Sequence, residues 1–221
     1  MRQFLGILVV LTTAFVLSAC GGGDSNAAPQ TQLRVLHASP DAPNVDVYVD
    51  GAKVLANVPY PTLSQYLSLP AGQHHIQVDA AGTTTTVIDA SPTLAANDAY
   101  TAIAAGFLAN IEALLATDAT SPATSGQVRL RVIHASPDAG PVDILINGQV
   151  VLSNVAFGTI SSYLSIPAGT YTIQVNAAGT STTAITASVT LTSQSNYSAV
   201  AIGSVKTAST NPLALKLLTD G

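Results

Sequence analysis

The sequence has little charge, one cysteine and no tryptophan. Only 9% of its 221 residues are charged, against about 25% in an average soluble domain. The 7 lysine and arginine residues are scattered, which argues against a nucleic-acid partner because phosphate binding needs clustered cations. A single cysteine excludes an intramolecular disulfide and a zinc site built from several cysteines. Glycine and proline show no collagen-like period.

The first twenty residues have the pattern of a secretory signal. Arg2 supplies a positive charge, and residues 4–17 are almost entirely apolar. This run of about 14 residues is shorter than the ~20 that a membrane-spanning helix needs, and is typical of a signal peptide. It ends at Leu17-Ser18-Ala19-Cys20, which resembles the lipobox of bacterial lipoproteins.

The lipobox resemblance implies that residues 1–19 are a lipoprotein signal peptide, cleaved between Ala19 and Cys20. Cys20 would receive a diacylglyceryl thioether and an acylated amino group, which makes membrane lipid the first expected partner. Gly21 after the cysteine implies the outer membrane of the cell envelope. The alternative is an ordinary signal peptide that happens to contain a cysteine. Residues 20–31 lack apolar periodicity and are predicted to be a flexible tether.

The rest of the chain consists of two tandem copies of one repeat. Residues 33–106 and 130–203 align without a gap at a constant offset of 97, and more than half of the aligned pairs are identical. We therefore predict two repeats, 32–118 and 128–221, joined by a Ser-, Thr-, Pro- and Gly-rich linker at 119–127. Each repeat is long enough to close its own core, so we expect two separate folding units.

Within each repeat the apolar residues recur with a period of two. Val45, Val47 and Val49 alternate with polar residues and lead into Asp50-Gly51, and the second copy ends its strand in Asn147-Gly148. These dipeptides are typical of tight hairpins. Closing strands are predicted around 111–115 and 213–217. Seven or eight short strands per repeat, with no helical stripe after the signal peptide, predict an all-β protein made of two β-sandwiches.

Two tyrosines resemble the tyrosine corner of immunoglobulin-like domains. Tyr100 follows Leu94 by six residues, Tyr197 follows Leu191 by six, and each begins an apolar strand. In such a corner the phenol hydroxyl bonds a backbone group at the turn between sheets. The alternative is a plain half-buried aromatic side chain.

Three strings in the chain are similar to those of a known bacterial family. They are His-Ala-Ser-Pro-Asp-Ala, Val-Asp-Val-Tyr-Val-Asp-Gly and Leu-Pro-Ala-Gly followed by an Ile-Gln-Val strand, and they recur in the second copy with few changes. On these strings the chain resembles the domain-of-unknown-function family 4397. The resemblance implies tandem immunoglobulin-like or transthyretin-like antiparallel β-sandwiches on an exported, envelope-associated protein. It implies no activity.

The His-Ala-Ser-Pro-Asp-Ala string invites a catalytic interpretation. The residues concerned occur once in each repeat: His37, Ser39, Asp41 and Asp46, then His134, Ser136, Asp138 and Asp143. Serine catalysis needs the hydroxyl about 3 Å from a histidine that a carboxylate orients. However, Ser-Pro-Asp-Ala also suits a type I turn in which Asp bonds nearby backbone, and no Gly-x-Ser-x-Gly elbow occurs. We predict a structural motif without catalysis.

Metal binding is the other chemistry to weigh. Asp41, Asp46 and Asp50 could supply oxygens to calcium, but their spacing matches no EF-hand. His74 and His75 are adjacent on a strand and should point to opposite faces. We therefore predict no metal and no cofactor, and leave a weak surface calcium site as the alternative.

These observations favour a non-enzymatic, lipid-anchored envelope protein, a binding or structural β-sandwich module. Its ligand would be an envelope protein or a glycan. We expect the loops to bind it, since recognition residues usually lie on loops that a rigid sandwich positions. The alternative is an envelope hydrolase that uses the His-x-Ser-x-Asp segment.

Overall fold

A computed structural model describes residues 28–207 and 210–221. Ala19 and Cys20, with the rest of the predicted signal peptide, lie outside the described residues. The first repeat contains ten strands: β1 (Gln30–His37), β2 (Val45–Val49), β3 (Ala52–Val58), β4 (Leu67–Pro70), β5 (Gly72–Gln73), β6 (Ile76–Ala80), β7 (Thr86–Ala90), β8 (Thr93–Leu94), β9 (Ala99–Ala105) and β10 (Glu112–Asp118). One 3-10 turn, Leu108–Asn110, precedes β10.

The described residues of the second repeat contain eight strands. They are β11 (Gln127–His134), β12 (Val142–Ile146), β13 (Gln149–Val155), β14 (Leu164–Pro167), β15 (Gly169–Ala177), β16 (Thr183–Leu191), β17 (Asn196–Ile202) and β18 (Ala214–Asp220). No helix in the part of the chain that the structure covers is long and apolar enough to cross a membrane.

Each repeat is a sandwich of two four-stranded sheets. In repeat 1 the strand orders are β10-β9-β1-β4 and β3-β2-β6-β7, with β5 and β8 forming an additional two-stranded sheet, and in repeat 2 they are β14-β11-β17-β18 and β13-β12-β15-β16. The all-β fold of two tandem sandwiches is thus confirmed. Most pairs are antiparallel, but β1–β9 and β11–β17 are parallel. The first strand of each repeat therefore lies at the centre of its sheet, beside a strand from near the repeat's end.

The hairpin dipeptides behave as predicted. Asp50 and Gly51 have φ of 51° and 79°, and Asn147 and Gly148 have φ of 50° and 80°. Positive φ at both central residues is the geometry of the type I′ turn, whose twist matches the flanking strands. These turns fix the registers of β2 with β3 and of β12 with β13.

Each sandwich has its own apolar core, and a third apolar cluster lies between the repeats. Leu33 and Val35 of β1 point into the core of repeat 1, whereas Leu36, on the other face, belongs to the third cluster. Ile103, Ile133 and Val200 join Leu36 there, all fully buried. The sheets β10-β9-β1-β4 and β14-β11-β17-β18 are therefore covered on both faces, and their outer faces pack against each other.

The linker also contacts repeat 2. Ala123 is buried, and its N–H donates to the Gln194 carbonyl. The Ser121 carbonyl accepts from Arg129 and Asn196. Separate folding of the two repeats stays a prediction, and the repeats share a buried apolar interface.

Candidate functional site

The two motif histidines are buried at the ends of the first strands. His37 Nε2 lies 3.0 Å from the Pro43 carbonyl oxygen, and His134 Nε2 lies 2.9 Å from that of Gly140. A carbonyl only accepts, so in both rings Nε2 carries the proton. Burial lowers the pKa of both histidines, against the opposing effect of the carbonyl bond. The rings are therefore neutral at physiological pH.

The two motif serines do not bond these histidines. Ser39 and Ser136 are buried, and neither hydroxyl makes a hydrogen bond within the described residues. In repeat 2 the His134 Nδ1 instead accepts from the Ser136 backbone N–H at 3.3 Å. The described residues thus lack the hydroxyl–imidazole bond that activates a serine nucleophile.

The motif aspartates accept hydrogen bonds from a distant loop, and not from the nearby backbone that the sequence predicted as their partner. The Asp41 carboxylate accepts the Leu108 N–H at 2.7 Å, and Asp138 accepts the N–H groups of Val205 and Lys206, both at 2.9 Å. Parallel pairing brings these loops beside the ends of β1 and β11. Although burial opposes ionisation, the two N–H groups hold the pKa of Asp138 below its usual value. The carboxylates thus hold the loop before the closing strand.

Asp46 and Asp143 accept hydrogen bonds from asparagines of the neighbouring strand that have positive φ. Asp46 accepts the Asn57 N–H at 2.7 Å and the Lys53 ammonium at 2.7 Å. Asp143 accepts the Asn154 N–H at 2.8 Å. The two asparagines have φ of 52° and 54°, a conformation that asparagine tolerates. The Lys53 bond, with that of Asn57, lowers the pKa of Asp46.

No group of three potential metal-ligating side chains occurs within residues 28–207 and 210–221. Asp41 and Asp46 have the separate partners described above, and the Asp50 carboxylate contacts His74 and the His75 N–H. The His75 ring instead contacts Asp89 at 2.9 Å. The three aspartates are therefore engaged at three different places.

The predicted corner tyrosines bond backbone at the turns before their strands. The Tyr100 hydroxyl accepts the Ala95 N–H and the Tyr197 hydroxyl accepts the Thr192 N–H, both at 3.1 Å. Both side chains are buried. Each phenol therefore satisfies a backbone donor while its ring packs in the core, as in a tyrosine corner.

His74 lies between two acceptors. Its Nδ1 is 2.7 Å from an Asp50 carboxylate oxygen, and its Nε2 is 2.7 Å from the Pro70 carbonyl oxygen. The ring can donate from both nitrogens only as imidazolium. The Pro70 carbonyl and then Asp50 raise the pKa of His74. In repeat 2 the equivalent positions hold Asn147 and Tyr171, a neutral pair.

The double variant Asp50→Asn with His74→Tyr should therefore lose a pH dependence of stability. Because the folded-state pKa of His74 is raised, its contribution is full below the unfolded pKa of about 6.5 and is lost as pH rises through the folded value. Urea unfolding at about pH 5 and about pH 9 should show the wild type losing more stability than the variant. His37 and His134 are present in both proteins, so their contributions to the pH dependence cancel in the comparison. Equal losses would contradict this prediction.

The largest polar cluster was missed by the sequence analysis and lies between the repeats. Arg34 of β1 donates to Asp220 of β18 at 2.6 Å, and Arg131 of β11 donates to Asp118 of β10. All four side chains are buried. Each arginine thus pairs with an aspartate of the other repeat, in a pseudo-twofold arrangement with balanced charge.

Further bonds satisfy the rest of these groups. The two carboxylates and the two guanidinium groups make their other hydrogen bonds to two matching sets of groups. These are Thr101, Tyr66 and the Thr117 carbonyl in repeat 1, and Ser198, Tyr163 and the Thr219 carbonyl in repeat 2. The Arg34 and Arg131 guanidinium groups lie 4.5 Å and 4.8 Å from the ring centroids of Tyr66 and Tyr163. Burial and the neighbouring carboxylates raise the pKa of both phenols. The cluster therefore joins the two sandwiches.

The family model described as domain of unknown function (DUF4397) matches residues 31–144 and 129–220. No curated protein matches the sequence. The chain is similar to the Bacillus anthracis TIE protein at 13% identity and a TM-score of 0.28, covering 76% of this chain and 32% of that one.

Two further solved structures are similar at the same low level. A leucine-rich repeat protein from Bacteroides thetaiotaomicron is 14% identical, with a TM-score of 0.19 over 80% of this chain and 26% of that one. CBMbc (family CBM26) from Eubacterium rectale Amy13K, in complex with maltoheptaose, is 11% identical, with a TM-score of 0.26 over 85% and 95%. The chain corresponds to only about a third or less of the first two proteins. These similarities are too low to support an inference about function.

Proposed function

The chain belongs to the DUF4397 family, whose description names no activity, and we propose that it is a lipid-anchored, non-enzymatic binding module of the bacterial cell envelope. The observation that carries this proposal is how the motif residues are used. The Asp41 and Asp138 carboxylates hold loops, the histidines bond carbonyls, and the serine hydroxyls are buried away from them. Loop positioning on a rigid pair of sandwiches supports recognition rather than reaction.

Membrane attachment through Cys20 is the part of the proposal with the clearest test. Each buried methylene contributes about 0.8 kcal/mol, so two or three acyl chains would anchor the protein almost permanently. Cys20→Ser should leave unprocessed precursor or protein free of the membrane fraction, whereas Ser18→Ala, which keeps a small residue before the cleavage site, should behave as wild type. Mass spectrometry should find the lipid on wild-type Cys20. An unmodified Cys20 in wild-type protein that is free of the membrane fraction would refute the lipid anchor.

Hydrolysis is the competing proposal, and the geometry counts against it. Ser39 is fully buried and not bonded to His37, so both substrate access and nucleophile activation would require rearrangement. Ester, peptide and glycan substrates incubated with the purified protein should show no turnover. A Ser39→Ala protein that melts like wild type but loses a measured hydrolytic activity would instead establish the hydrolase.

The ligand class follows from the expected location. We propose an envelope protein or glycan, captured by the loops of the paired sandwiches. Pull-downs with residues 28–221, first against purified peptidoglycan and glycans and then against envelope proteins, distinguish the two. Retention of neither class would refute this part of the proposal.

A further inference from the structure

Repeat 1 contains an apolar cavity of about 260 Å³ between its two sheets. Among its lining residues, Ala113 and Leu115 on β10 are exposed, and Ala90 and Pro92, at and just beyond the end of β7, are half-buried. Because β7 and β10 are the edge strands of the two sheets, the mouth lies where the sandwich is open at its side. Every lining side chain is aliphatic, and none is charged or able to form a hydrogen bond.

Repeat 2 fills the corresponding space with its own side chains. Ala113 pairs with Ala104, and Leu215 pairs with Ala201, the equivalent of Ala104. The register therefore places Leu215 where repeat 1 has Ala113. Leu215 packs against the core of repeat 2. The leucine side chain fills this place in repeat 2. The alanine of repeat 1 is three carbon atoms smaller and leaves the place open.

Two further differences between the repeats lie at this cavity. Val47 lines the cavity where repeat 2 has the bulkier Ile144. Pro92 stands where repeat 2 has Val189, which pairs with Tyr171 in the continuous β15–β16 ladder. Proline has no N–H and interrupts a ladder, so repeat 1 has the shorter pairs β6–β7 and β5–β8 instead. The sheet edge is broken at the mouth of the cavity.

We propose that this cavity binds a single alkyl chain, carried by a lipid with an uncharged head group. An alkyl chain matches an all-aliphatic lining, and in the second copy the aliphatic side chain of Leu215 packs at the corresponding place. Sugars need hydrogen-bonding groups and aromatic platforms, which the lining lacks. A carboxylate head would find no cation among the lining residues. The volume exceeds the ~150 Å³ of an engineered apolar cavity that admits benzene.

This site goes beyond the proposed capture of an envelope protein or glycan by the loops, and it is independent of the membrane anchor. Residues 28–221 contain every described strand and all of the strand pairings, and they lack Cys20. Alkyl binding by this fragment can therefore fail while the Cys20 anchor holds, and the reverse. Acyl chains on Cys20 cannot contribute to the result.

The test is a titration of residues 28–221 with 1-octanol, followed by methyl NMR. Saturable shifts are expected at Val47, Ile88 and Leu115, with the repeat 2 methyl groups unchanged. The control ligand is 1,8-octanediol, which should bind at least about tenfold more weakly because burying its second hydroxyl without a partner is unfavourable. Absent, diffuse or non-saturating shifts would overturn the proposal, as would equal affinity for the diol.

Matched variants in the two repeats locate the site. Ala113→Leu, which installs the residue of repeat 2, should weaken octanol binding at least about tenfold by occupying the space. Val47→Ile tests the same space with one added carbon if the first variant misfolds. The converse double variant, Leu215→Ala with Ile144→Val, should create a second site seen at Ile185. Unchanged octanol affinity in a folded Ala113→Leu or Val47→Ile protein would overturn the proposal.

Discussion

Asp118→Ala should lower the free energy of unfolding by about 3–5 kcal/mol, the range for removing one partner of a buried ion pair. Asp118 accepts from Arg131, Thr101 and Tyr66, and its side chain is fully buried. The loss would leave the Arg131 guanidinium in the interface without its carboxylate, and the two hydroxyls without their acceptor. Urea denaturation followed by circular dichroism measures the change.

Three further variants separate the loss of charge balance from the loss of one side chain. Asp220→Ala removes the pseudo-twofold counterpart and should be similarly destabilising, whereas Asp89→Ala, at an exposed pair with His75, should change stability by no more than about 0.5 kcal/mol. The double variant Asp118→Leu with Arg131→Met should lose less than Asp118→Ala, because no charge is then left unpaired. A loss below about 1 kcal/mol for Asp118→Ala would mean that the cluster does not hold the interface.

The isolated repeats should fold and then dimerise. Residues 28–118 alone would expose Leu36 and Ile103 together with Arg34 and Asp118, all of which are buried in the intact chain. Two copies of repeat 1 can reproduce the interface, because each Arg34 would meet the Asp118 of the other copy as it meets Asp220 now. A self-complementary face is what a twofold dimer requires.

Analytical ultracentrifugation of residues 28–118 and 128–221 tests this expectation. Each should sediment as a dimer, and an equimolar mixture should form the heterodimer, whose contacts are those of the intact chain. Arg34→Glu in residues 28–118 should block the homodimer by placing two carboxylates together. Folded monomers as stable as the intact protein would instead make the repeats independent domains.

The two-sided burial of the central strands had a signal in the sequence. Leu33 and Val35 have the period-two spacing of a strand with one buried face, but Leu36 follows directly and Tyr100 to Gly106 is apolar almost throughout. Such near-continuous runs are typical of strands covered on both faces. Arg34 and its duplicate Arg131 interrupt the apolar run in the first strand of each repeat, and a lone arginine within a buried strand needs a partner. Which aspartate pairs with each arginine depends on how the repeats dock.

The motif aspartates show the limit of local reasoning. Ser-Pro-Asp-Ala predicts a turn in which the carboxylate bonds nearby backbone, yet Asp41 bonds the Leu108 N–H, far along the chain. The donor is close only because β1 pairs in parallel with β9. Register between distant strands is set by packing of both faces, which no short string encodes.

The sequence by itself determined the duplication, the all-β class and the hairpin turns, since these depend on periodicity and on residues that tolerate positive φ. The tertiary structure alone decided that the repeats share an apolar interface with a buried Arg–Asp cluster, and that one sandwich is open where the other is filled. The sequence shows that position 113 is alanine and position 215 is leucine. The consequence of this difference depends on which side chains face the same space, and that is fixed only when both sheets of each sandwich have packed.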